Sequence, residues 1–242
     1  MTLLVALRGQ DGLVLAADSR GTFGDPSGTT AQNDSMKKAH ILAPHVAALA
    51  AGSGEVASLL ILEATKTVGA MDGVTPVMEH LRDTARTKYN EWFPTVAAIQ
   101  PPALLMTGQA PSRPGLSFLV AGYEIADGGV SDPKVYQLIS QNDFAPMLHD
   151  YGFAVAGVPQ YALYLLNRLY EPDRSVEELT SLAVYVITET ASQDGKVGGP
   201  VKVVTVRVDD GCEALNEAAV VGVLDGNSVR SQSLRDSFYE GS

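Results

Sequence analysis

Apolar residues near the start of the chain predict strands. Two short apolar runs, Leu3–Leu7 and Leu13–Ala17, are separated by a Gln-Asp-Gly turn signal, a spacing typical of a β-hairpin. Neither run alternates cleanly with polar residues, which indicates that both faces of each strand are covered. A second strand pair is predicted at Lys37–Leu42 and Val46–Ala51. The Gly- and Thr-rich residues 21–35 between the two pairs predict a loop.

Helical patterns follow the second strand pair. Glu55–Lys66 is one predicted helix, and Thr75 followed by Pro76 predicts the N-cap and first residue of the next. Ser175 and Glu178 form a capping-box pattern, which predicts a helix that ends near Ser192. The other predicted elements are strands at Leu116–Ile125, Lys134–Ser140, Phe153–Ala156 and Pro200–Val208, and a helix at Pro159–Tyr170.

The order of these elements predicts the fold class. Strands, two helices, strands, two helices and a last strand do not form a strict βαβ alternation. This order is typical of an α+β protein with two antiparallel sheets stacked between two helix layers, and we expect a single domain over residues 1–242. The proline-containing residues 94–115 predict an irregular insertion, and residues 213–242 predict a polar, acidic C-terminal extension.

Charge and cysteine content exclude several classes of function. The chain has 17 Lys and Arg against 28 Asp and Glu, a net charge of −11, which argues against nucleic acid or an anionic membrane as the main partner. Cys212 is the one cysteine, which excludes a disulfide framework and a Cys-based zinc site.

The four histidines show no metal-ligand spacing, so we expect neither metal nor cofactor. No signal peptide and no apolar run near the roughly 18 residues of a membrane span are present, so we expect a cytoplasmic protein.

One glycine-rich segment allows two interpretations. Gly52–Ala57 reads GSGEVA, follows a predicted strand and opens a predicted helix, as the dinucleotide-binding fingerprint GxGxxA does. That fingerprint also needs a second parallel strand ending in an acidic residue, and the chain continues here with another helix. The alternative is a tight strand-to-helix turn, whose free amides still point toward a site.

A candidate nucleophile is Thr2, which directly follows Met1. Removal of Met1 would leave Thr2 with a hydroxyl group and a free α-amine whose reference pKa is near 8. That amine can accept the hydroxyl proton directly or through one water, so the site needs no histidine. Lys37 or Lys38 could lower the pKa of the amine, and Asp18 could hold that lysine. Strand alternation lets one lysine face the site without deciding which.

Several segments tie these residues to a known family. Residues 2–22, TLLVALRGQDGLVLAADSRGT, resemble the mature start of proteasome β-type subunits, which are N-terminal-threonine hydrolases with a four-layer αββα fold. The likeness continues through SMKKAHIL and VAALAAGSGEVA. Looser matches follow in order at FLVAGYE, VYQLI, FAVAGVP and SQDGKVGGPVKVVTV, so the resemblance spans most of residues 2–208. The layers that it implies agree with those predicted from the order of elements.

The resemblance implies a catalytic role for four residues. Thr2 matches the nucleophile, and Asp18 matches the carboxylate that orients the catalytic lysine. The second lysine of the family's Lys-Lys pair is the catalytic one, which selects Lys38. Asp194 matches a late aspartate that supports the N-terminal amine.

The resemblance also implies how a peptide substrate is held. Thr22 matches the residue whose backbone pairs with the substrate as an added strand. Gly21 and Leu49 match positions near the wall of the pocket for the side chain before the cleaved bond. Ala51 or Gly52 should supply the amide of the oxyanion hole.

The expected function is therefore a threonine peptidase that acts on peptides or unfolded proteins, in a homo-oligomeric ring or spiral, with an ATP-dependent unfoldase as a partner by analogy. Simple Met removal exposes the threonine in bacterial relatives such as the heat-shock-locus protease and the ancestral β-subunit-like group. Two residues depart from the family pattern: Val158 and Val197 stand where serines are usual. This departure keeps open a second hypothesis, a structural or interaction subunit with the same fold and no activity.

Overall fold

The fold consists of antiparallel sheets and helices. The computed structural model describes residues 2–25, 28–69, 71–94, 113–126 and 129–239. In chain order the elements are β1 (Leu3–Arg8), β2 (Leu13–Ala17), β3 (Gly21–Asp25), β4 (Gly28–Asn33), β5 (Ala39–Ala43), β6 (Val46–Gly52), α1 (Gly54–Val68), α2 (Val74–Trp92), β7 (Leu116–Ala126), β8 (Gly129–Ile139), β9 (Met147–Leu148), β10 (Phe153–Gly157), α3 (Gln160–Leu169), α4 (Val176–Gln193), β11 (Lys202–Arg207), β12 (Gly211–Ala214) and α5 (Glu217–Tyr239). The α+β class predicted from the sequence is confirmed.

Two five-stranded sheets form the centre of the molecule. The first has the strand order β10-β1-β2-β11-β12, and the second has the order β5-β6-β7-β8-β9. The predicted hairpin of β1 and β2 is confirmed, with Val5 opposite Ala16, and the pair of β5 and β6 is confirmed as well. All of these neighbouring strands run antiparallel.

Three apolar clusters hold the sheets and helices together. The first lies between the sheets and contains Leu4 of β1 and Leu119 of β7. The second packs α1 and α2 on the second sheet, and the third packs α3 and α4 on the first sheet, where Val5 is buried. Successive side chains of a strand point to opposite faces, so β1 places Leu4 in one cluster and Val5 in another. This double burial explains why the apolar runs do not alternate.

Two local predictions are wrong. Residues 21–35 contain strands β3 and β4, paired as a hairpin with Thr22 opposite Gln32, instead of a loop. Their polar composition does not show the apolar pattern of a buried strand pair. Helix α2 begins at Val74 with Gly73 as its N-cap, because the hydroxyl of Thr75 is taken up by a hydrogen bond to Glu124.

The ends of the molecule complete the comparison with the sequence. The capping box of Ser175 and Glu178 is confirmed at the start of α4. The C-terminal extension contains the last two residues of β12 and the 23-residue helix α5. Most of the predicted insertion at 94–115 lies outside the described residues, as does Met1. No helix in the described parts of the chain combines the length and apolar character needed to cross a membrane.

Candidate active site

Asp18 is fully buried directly after the end of β2. Its Oδ1 atom accepts hydrogen bonds from the Leu3 amide at 2.9 Å and from Lys38 Nζ at 2.8 Å. Its Oδ2 atom accepts the amides of Arg20 at 3.2 Å and Gly198 at 3.1 Å. A carboxylate removed from water is strongly disfavoured unless it is paired and hydrogen-bonded, and these four donors meet that condition.

Lys38 is the partner of Asp18 and is only 6% exposed. Its Nζ atom also donates to the backbone carbonyl of Arg20 at 2.6 Å. Burial lowers the pKa of Lys38 below its ordinary value of 10.5, and the Asp18 carboxylate acts in the opposite direction. Lys37 is exposed. Of the two lysines, Lys38 is therefore the one that pairs with the buried Asp18.

Thr2 lies at the start of β1 and is 5% exposed. Its carbonyl oxygen accepts the amide of Val158 at 2.9 Å, directly after β10. Gly157 has a φ of +97°, and a Cβ atom at this position would overlap the carbonyl of Thr2. Only glycine therefore lets β10 approach so closely and hold Thr2 in place. Since Met1 lies outside the described residues, its removal stays a prediction.

A cleft of about 330 Å³ brings most of the predicted residues together. Seven of the residues considered as candidates for the catalytic and substrate-binding site line it: Thr2, Gly21, Thr22, Lys37, Lys38, Ala51 and Gly52. They come from the start of β1, the start of β3, the segment before β5 and the end of β6. Asp18 lies behind this lining and reaches the cleft through Lys38.

Hydrogen bonding along β6 distinguishes Gly52 from Ala51. The amide of Ala50 donates to the carbonyl of Lys38 at 2.8 Å, and the amide of Ser53 donates to the carbonyl of Gly115 on the opposite side at 3.3 Å. Successive amides of a strand point to alternate sides. The Gly52 amide therefore points to the same side as the Ala50 amide, toward the segment that contains Lys38 and precedes β5. Gly52 is the better candidate for an oxyanion-hole donor.

Besides Asp18, two residues predicted for the site do not line the cleft. Leu49 is fully buried in the cluster between the sheets, and the next residue, Ala50, lines the cleft instead. The prediction for Leu49 is corrected because a shift of one residue along a strand moves a side chain to the opposite face. Asp194 is the C-cap of α4, and its carboxylate accepts the amide of Lys196 at 2.9 Å.

Sequence reasoning missed the ion pair of Arg20 and Asp34. The Arg20 guanidinium donates to both carboxylate oxygens of Asp34 at 2.8 Å and to the carbonyl of Gly195 at 3.1 Å. The hydrogen bond from Arg20 lowers the pKa of Asp34. This contact joins the β3–β4 hairpin to the loop after α4, whose Gly198 amide binds Asp18. Arg20 could have been noticed two residues after Asp18, but the sequence around Asp34 carries no signal.

The glycine-rich segment belongs to the same cleft. Gly52, Gly54 and Ala57 line it, and β6 runs antiparallel to both β5 and β7. A dinucleotide-binding fingerprint needs parallel strands around the helix, so that interpretation is wrong. Within the described ranges, no group of three or more His, Cys, Asp or Glu residues could hold a metal ion.

Comparisons with known proteins found similar sequences and similar folds. A family model described as "Proteasome subunit" matches residues 2–66. Proteasome subunit beta 2 of Pyrobaculum neutrophilum is 29% identical over 220 residues, which cover 91% of this chain and 94% of the relative. Two solved structures of Anbu from Hyphomicrobium sp. strain MC1 are similar in fold. The Gly-1 mutant has a TM-score of 0.72 and 19% identity, with coverage of 100% of this chain and 98% of that one. The other has a TM-score of 0.71 and 17% identity, with coverage of 99% and 98%.

Proposed function

We propose that the chain is a member of the proteasome β-type subunit family, as its match to a proteasome-subunit family model and its 29% identity with a proteasome subunit beta support, and that it is a threonine peptidase that hydrolyses peptide bonds through an acyl-enzyme on Thr2. The observation that carries the proposal is the buried pair of Lys38 and Asp18 at the cleft that Thr2 lines. The three apolar clusters, one between the sheets and one on each outer face, support a four-layer αββα sandwich of the N-terminal nucleophile hydrolases.

In the first step, the Thr2 hydroxyl oxygen attacks the carbonyl carbon of the substrate after removal of Met1. The hydroxyl proton passes to the neutral α-amine of Thr2, directly or through one water. The positive charge of Lys38 lowers the pKa of that amine, so more of it is neutral at pH 7. Asp18 and the carbonyl of Arg20 hold the Lys38 ammonium in position.

In the second step, the tetrahedral intermediate collapses. Its negative oxygen accepts a hydrogen bond from the Gly52 amide. The C–N bond breaks, the departing nitrogen takes the proton from the α-ammonium of Thr2, and an ester on Thr2 remains. A water molecule then attacks the ester carbonyl and gives a proton to the same amine. The ester C–O bond breaks, the α-ammonium returns that proton to the Thr2 oxygen, and the acid product leaves.

The remaining predicted residues are proposed to bind the substrate or to position the loop that follows α4. Gly21 and Thr22 begin β3 at the cleft, and we propose that the Thr22 backbone pairs with the substrate as an additional strand. Asp194 is proposed to support the α-amine through the loop that it begins, since the loop's Gly198 amide binds Asp18. Its carboxylate is a positioning group in this arrangement.

Assembly and partners are part of the proposal by family analogy. A homo-oligomeric ring or spiral would enclose the clefts and admit peptides or unfolded proteins. An ATP-dependent unfoldase would then supply unfolded chains.

A second candidate function is a subunit that keeps the fold without the chemistry. Val158 and Val197 occupy the positions where the family usually has serines, and both are buried in the cluster beneath α3 and α4. Neither side chain offers a hydrogen bond to the α-amine of Thr2. This observation favours a lower activity or none.

Intact mass spectrometry before and after exposure to a peptide epoxyketone distinguishes the two candidates. This electrophile reacts durably with a hydroxyl and a free amine on one N-terminal residue. Loss of one methionine mass together with one stoichiometric adduct supports the peptidase. A chain that keeps Met1 and takes no adduct overturns it in favour of the inactive subunit.

A further inference from the structure

A second cavity, of about 630 Å³, opens at the end of the two sheets opposite the Thr2 cleft. The cleft lies where Gly52 of β6 pairs with Leu116 of β7, and the second cavity lies where Tyr123 of β7 pairs with Pro133 of β8. Extended backbone from Leu116 to Tyr123 spans roughly 23 Å. This distal cavity is therefore remote from the cleft.

Arg8 brings a positive charge to the space between the sheets. Leu4 and Ala6 of the same strand are buried there, and alternation along β1 places Arg8 on the same face. Its amide donates to the carbonyl of Gly152 at 2.7 Å, and its carbonyl accepts the Tyr170 hydroxyl at 2.6 Å. Arg8 is half-buried and lines the distal cavity, and its guanidinium has no hydrogen bond or ion pair among the described residues. An unpaired guanidinium in this position is available to an anionic group of a ligand.

Tyr123 contributes a hydroxyl group to the inner part of the distal cavity. The residue is only 4% exposed and packs in the cluster between the sheets, yet it lines the cavity. Its hydroxyl has no hydrogen-bond partner in the part of the chain that the structure describes. Burial raises the pKa of Tyr123, so the hydroxyl keeps its proton and acts as a donor. A buried donor without a partner is costly, and an acceptor on a bound ligand would remove that cost.

The neighbouring charges leave the guanidinium of Arg8 to the ligand. Lys134, which also lines the distal cavity, is paired with Glu124 at 2.7 Å. Both carboxylate oxygens of Asp11 are occupied as well, one of them by Arg207 at 3.0 Å. The inner end of the cavity therefore offers one free positive charge and one free hydroxyl donor, a combination that suits a carboxylate.

The mouth of the distal cavity has the opposite charge. Asp132 and Asp150 line it, both are exposed, and neither forms a hydrogen bond or an ion pair within the described ranges. Leu148 and Val208 also line it, and they are 48% and 41% exposed. These carboxylates would repel a simple anion but attract a ligand that carries an ammonium group at its other end. The two apolar side chains would contact an apolar part of such a ligand.

We propose that the distal cavity binds a short peptide by both of its ends. The C-terminal carboxylate of the peptide accepts hydrogen bonds from the Arg8 guanidinium and the Tyr123 hydroxyl. Its N-terminal ammonium lies toward the carboxylates of Asp132 and Asp150. The volume of the cavity is in the range of ligand sites. The site lies outside the cleft, so this inference does not depend on the chemistry proposed for Thr2.

Isothermal titration calorimetry with three forms of one dipeptide tests the recognition of both ends. Ala-Leu carries both charges, its C-terminal amide lacks the carboxylate, and N-acetyl-Ala-Leu lacks the ammonium. Ala-Leu should bind saturably, and the amide should bind about tenfold more weakly or worse, because it loses a charge-assisted contact. The acetylated form should bind about threefold more weakly, since exposed ion pairs contribute less. The Thr2→Ala chain is used, so that hydrolysis contributes no heat.

Two substitutions test whether the dipeptide binds in the distal cavity. Arg8→Gln removes the charge and should weaken the binding of Ala-Leu by about tenfold or more. Tyr123→Phe keeps the ring and should weaken it by about fivefold, because one neutral hydrogen bond is lost. Arg168→Gln, at an exposed position of α3, makes the same change in net charge and should leave the affinity unchanged.

Each outcome decides the proposal. Weaker binding in Arg8→Gln and Tyr123→Phe, with wild-type affinity in the control, supports it. Absence of saturable binding of Ala-Leu up to about 10 mM overturns it, as does equal affinity for Ala-Leu and its amide. Unchanged affinity in both cavity variants shows that the peptide binds elsewhere and also overturns it. Equal affinity for Ala-Leu and its acetylated form overturns the role of Asp132 and Asp150. These results are independent of the labelling of Thr2, which tests the peptidase.

Discussion

The Nζ atom of Lys38 lies 2.8 Å from the Oδ1 atom of Asp18, and both side chains are buried. Two charges removed from water lose hydration free energy, which their attraction offsets only with good geometry and additional hydrogen bonds. Asp18 obtains those bonds from three backbone amides. A hydrophobic pair could stabilise the fold equally well, so the position of this pair beside Thr2 is better explained by chemistry.

Thr2→Ala should abolish peptide hydrolysis and leave the fold intact. We expect kcat to fall by roughly 10⁴-fold or more, because loss of a nucleophile removes the covalent route. Thr2→Ser keeps the hydroxyl and is the matched control, with measurable activity. Steady-state kinetics and thermal unfolding check both variants. Wild-type kcat in Thr2→Ala would contradict the mechanism.

Lys38→Ala should cost far more activity and stability than Lys37→Ala. Removal of Lys38 leaves the Asp18 carboxylate without its charge partner, which costs about 3–5 kcal/mol for a buried pair, and lowers kcat by about 10²–10³-fold. Lys37 is exposed, so its removal should change stability by no more than about 0.5 kcal/mol. Lys38→Met retains the apolar stem if the alanine variant does not fold. Equal effects at the two lysines would refute the assignment of Lys38.

The pH dependence of the reaction should reflect the lowered pKa of Lys38. As pH rises through that pKa, the Lys38 ammonium loses its proton, so kcat/KM should decrease. This decrease should begin at a pH below 10.5, the ordinary pKa of a lysine. Stability changes in the opposite direction. Between the lowered pKa and 10.5 the unfolded chain binds more protons at this position, so the Lys38 contribution to the unfolding free energy rises with pH. Rate profiles and denaturant midpoints across this range measure the two effects.

Asp34→Asn tests the cause of this pH dependence. The Asp34 charge raises the pKa of Lys38 and the Arg20 charge lowers it. Loss of the Asp34 charge should therefore move the alkaline decline to lower pH. Asp173→Asn, at an exposed position, controls for the change in net charge. A shift in the other direction would show that Asp34 does not act on Lys38 in this way.

Gly52→Ala should reduce both stability and activity. Gly52 has a φ of +105°, and a Cβ atom there would overlap the carbonyl of Gly115. The strained backbone alone costs about 1–3 kcal/mol, and the displaced amide would no longer face the cleft. Gly195→Ala is the control, because a Cβ atom at Gly195 meets nothing within 4 Å. Unfolding midpoints and kcat in the two variants should differ clearly; similar values would argue against the role of Gly52.

Leu49→Ala and Ala50→Val should have different effects, because Leu49 lies in the core and Ala50 lines the cleft. Leu49 is buried between the sheets, so its truncation should cost about 2–5 kcal/mol without changing which peptides are cleaved. Ala50 lines the cleft, so added methyl groups should reduce kcat/KM for bulky side chains before the cleaved bond. A changed cleavage preference in Leu49→Ala would contradict this placement and show that Leu49 contributes to the pocket wall.

Local sequence patterns predicted much of the fold. The turn between two apolar runs predicted the β1–β2 hairpin, and Ser175 with Glu178 predicted the start of α4, because these signals act within a few residues. The pair of β3 and β4 gave no such signal, since the sequence of both strands is mostly polar. The Thr75 hydroxyl, which could have capped the helix, instead donates a hydrogen bond to Glu124, which is distant in sequence.

By itself, the sequence determined the chemical groups of the site: a threonine after Met1, an aspartate ending a strand, and a lysine pair. Only the tertiary structure decided which neighbours face the cleft. It paired Lys38 with Asp18, placed Ala50 in the cleft lining, and buried the side chain of Leu49 between the sheets. The reason is geometric, because side chains and amides alternate along extended backbone and a one-residue shift exchanges the faces. The close approach of Gly157 to the Thr2 carbonyl depends on packing between elements, which no local pattern encodes.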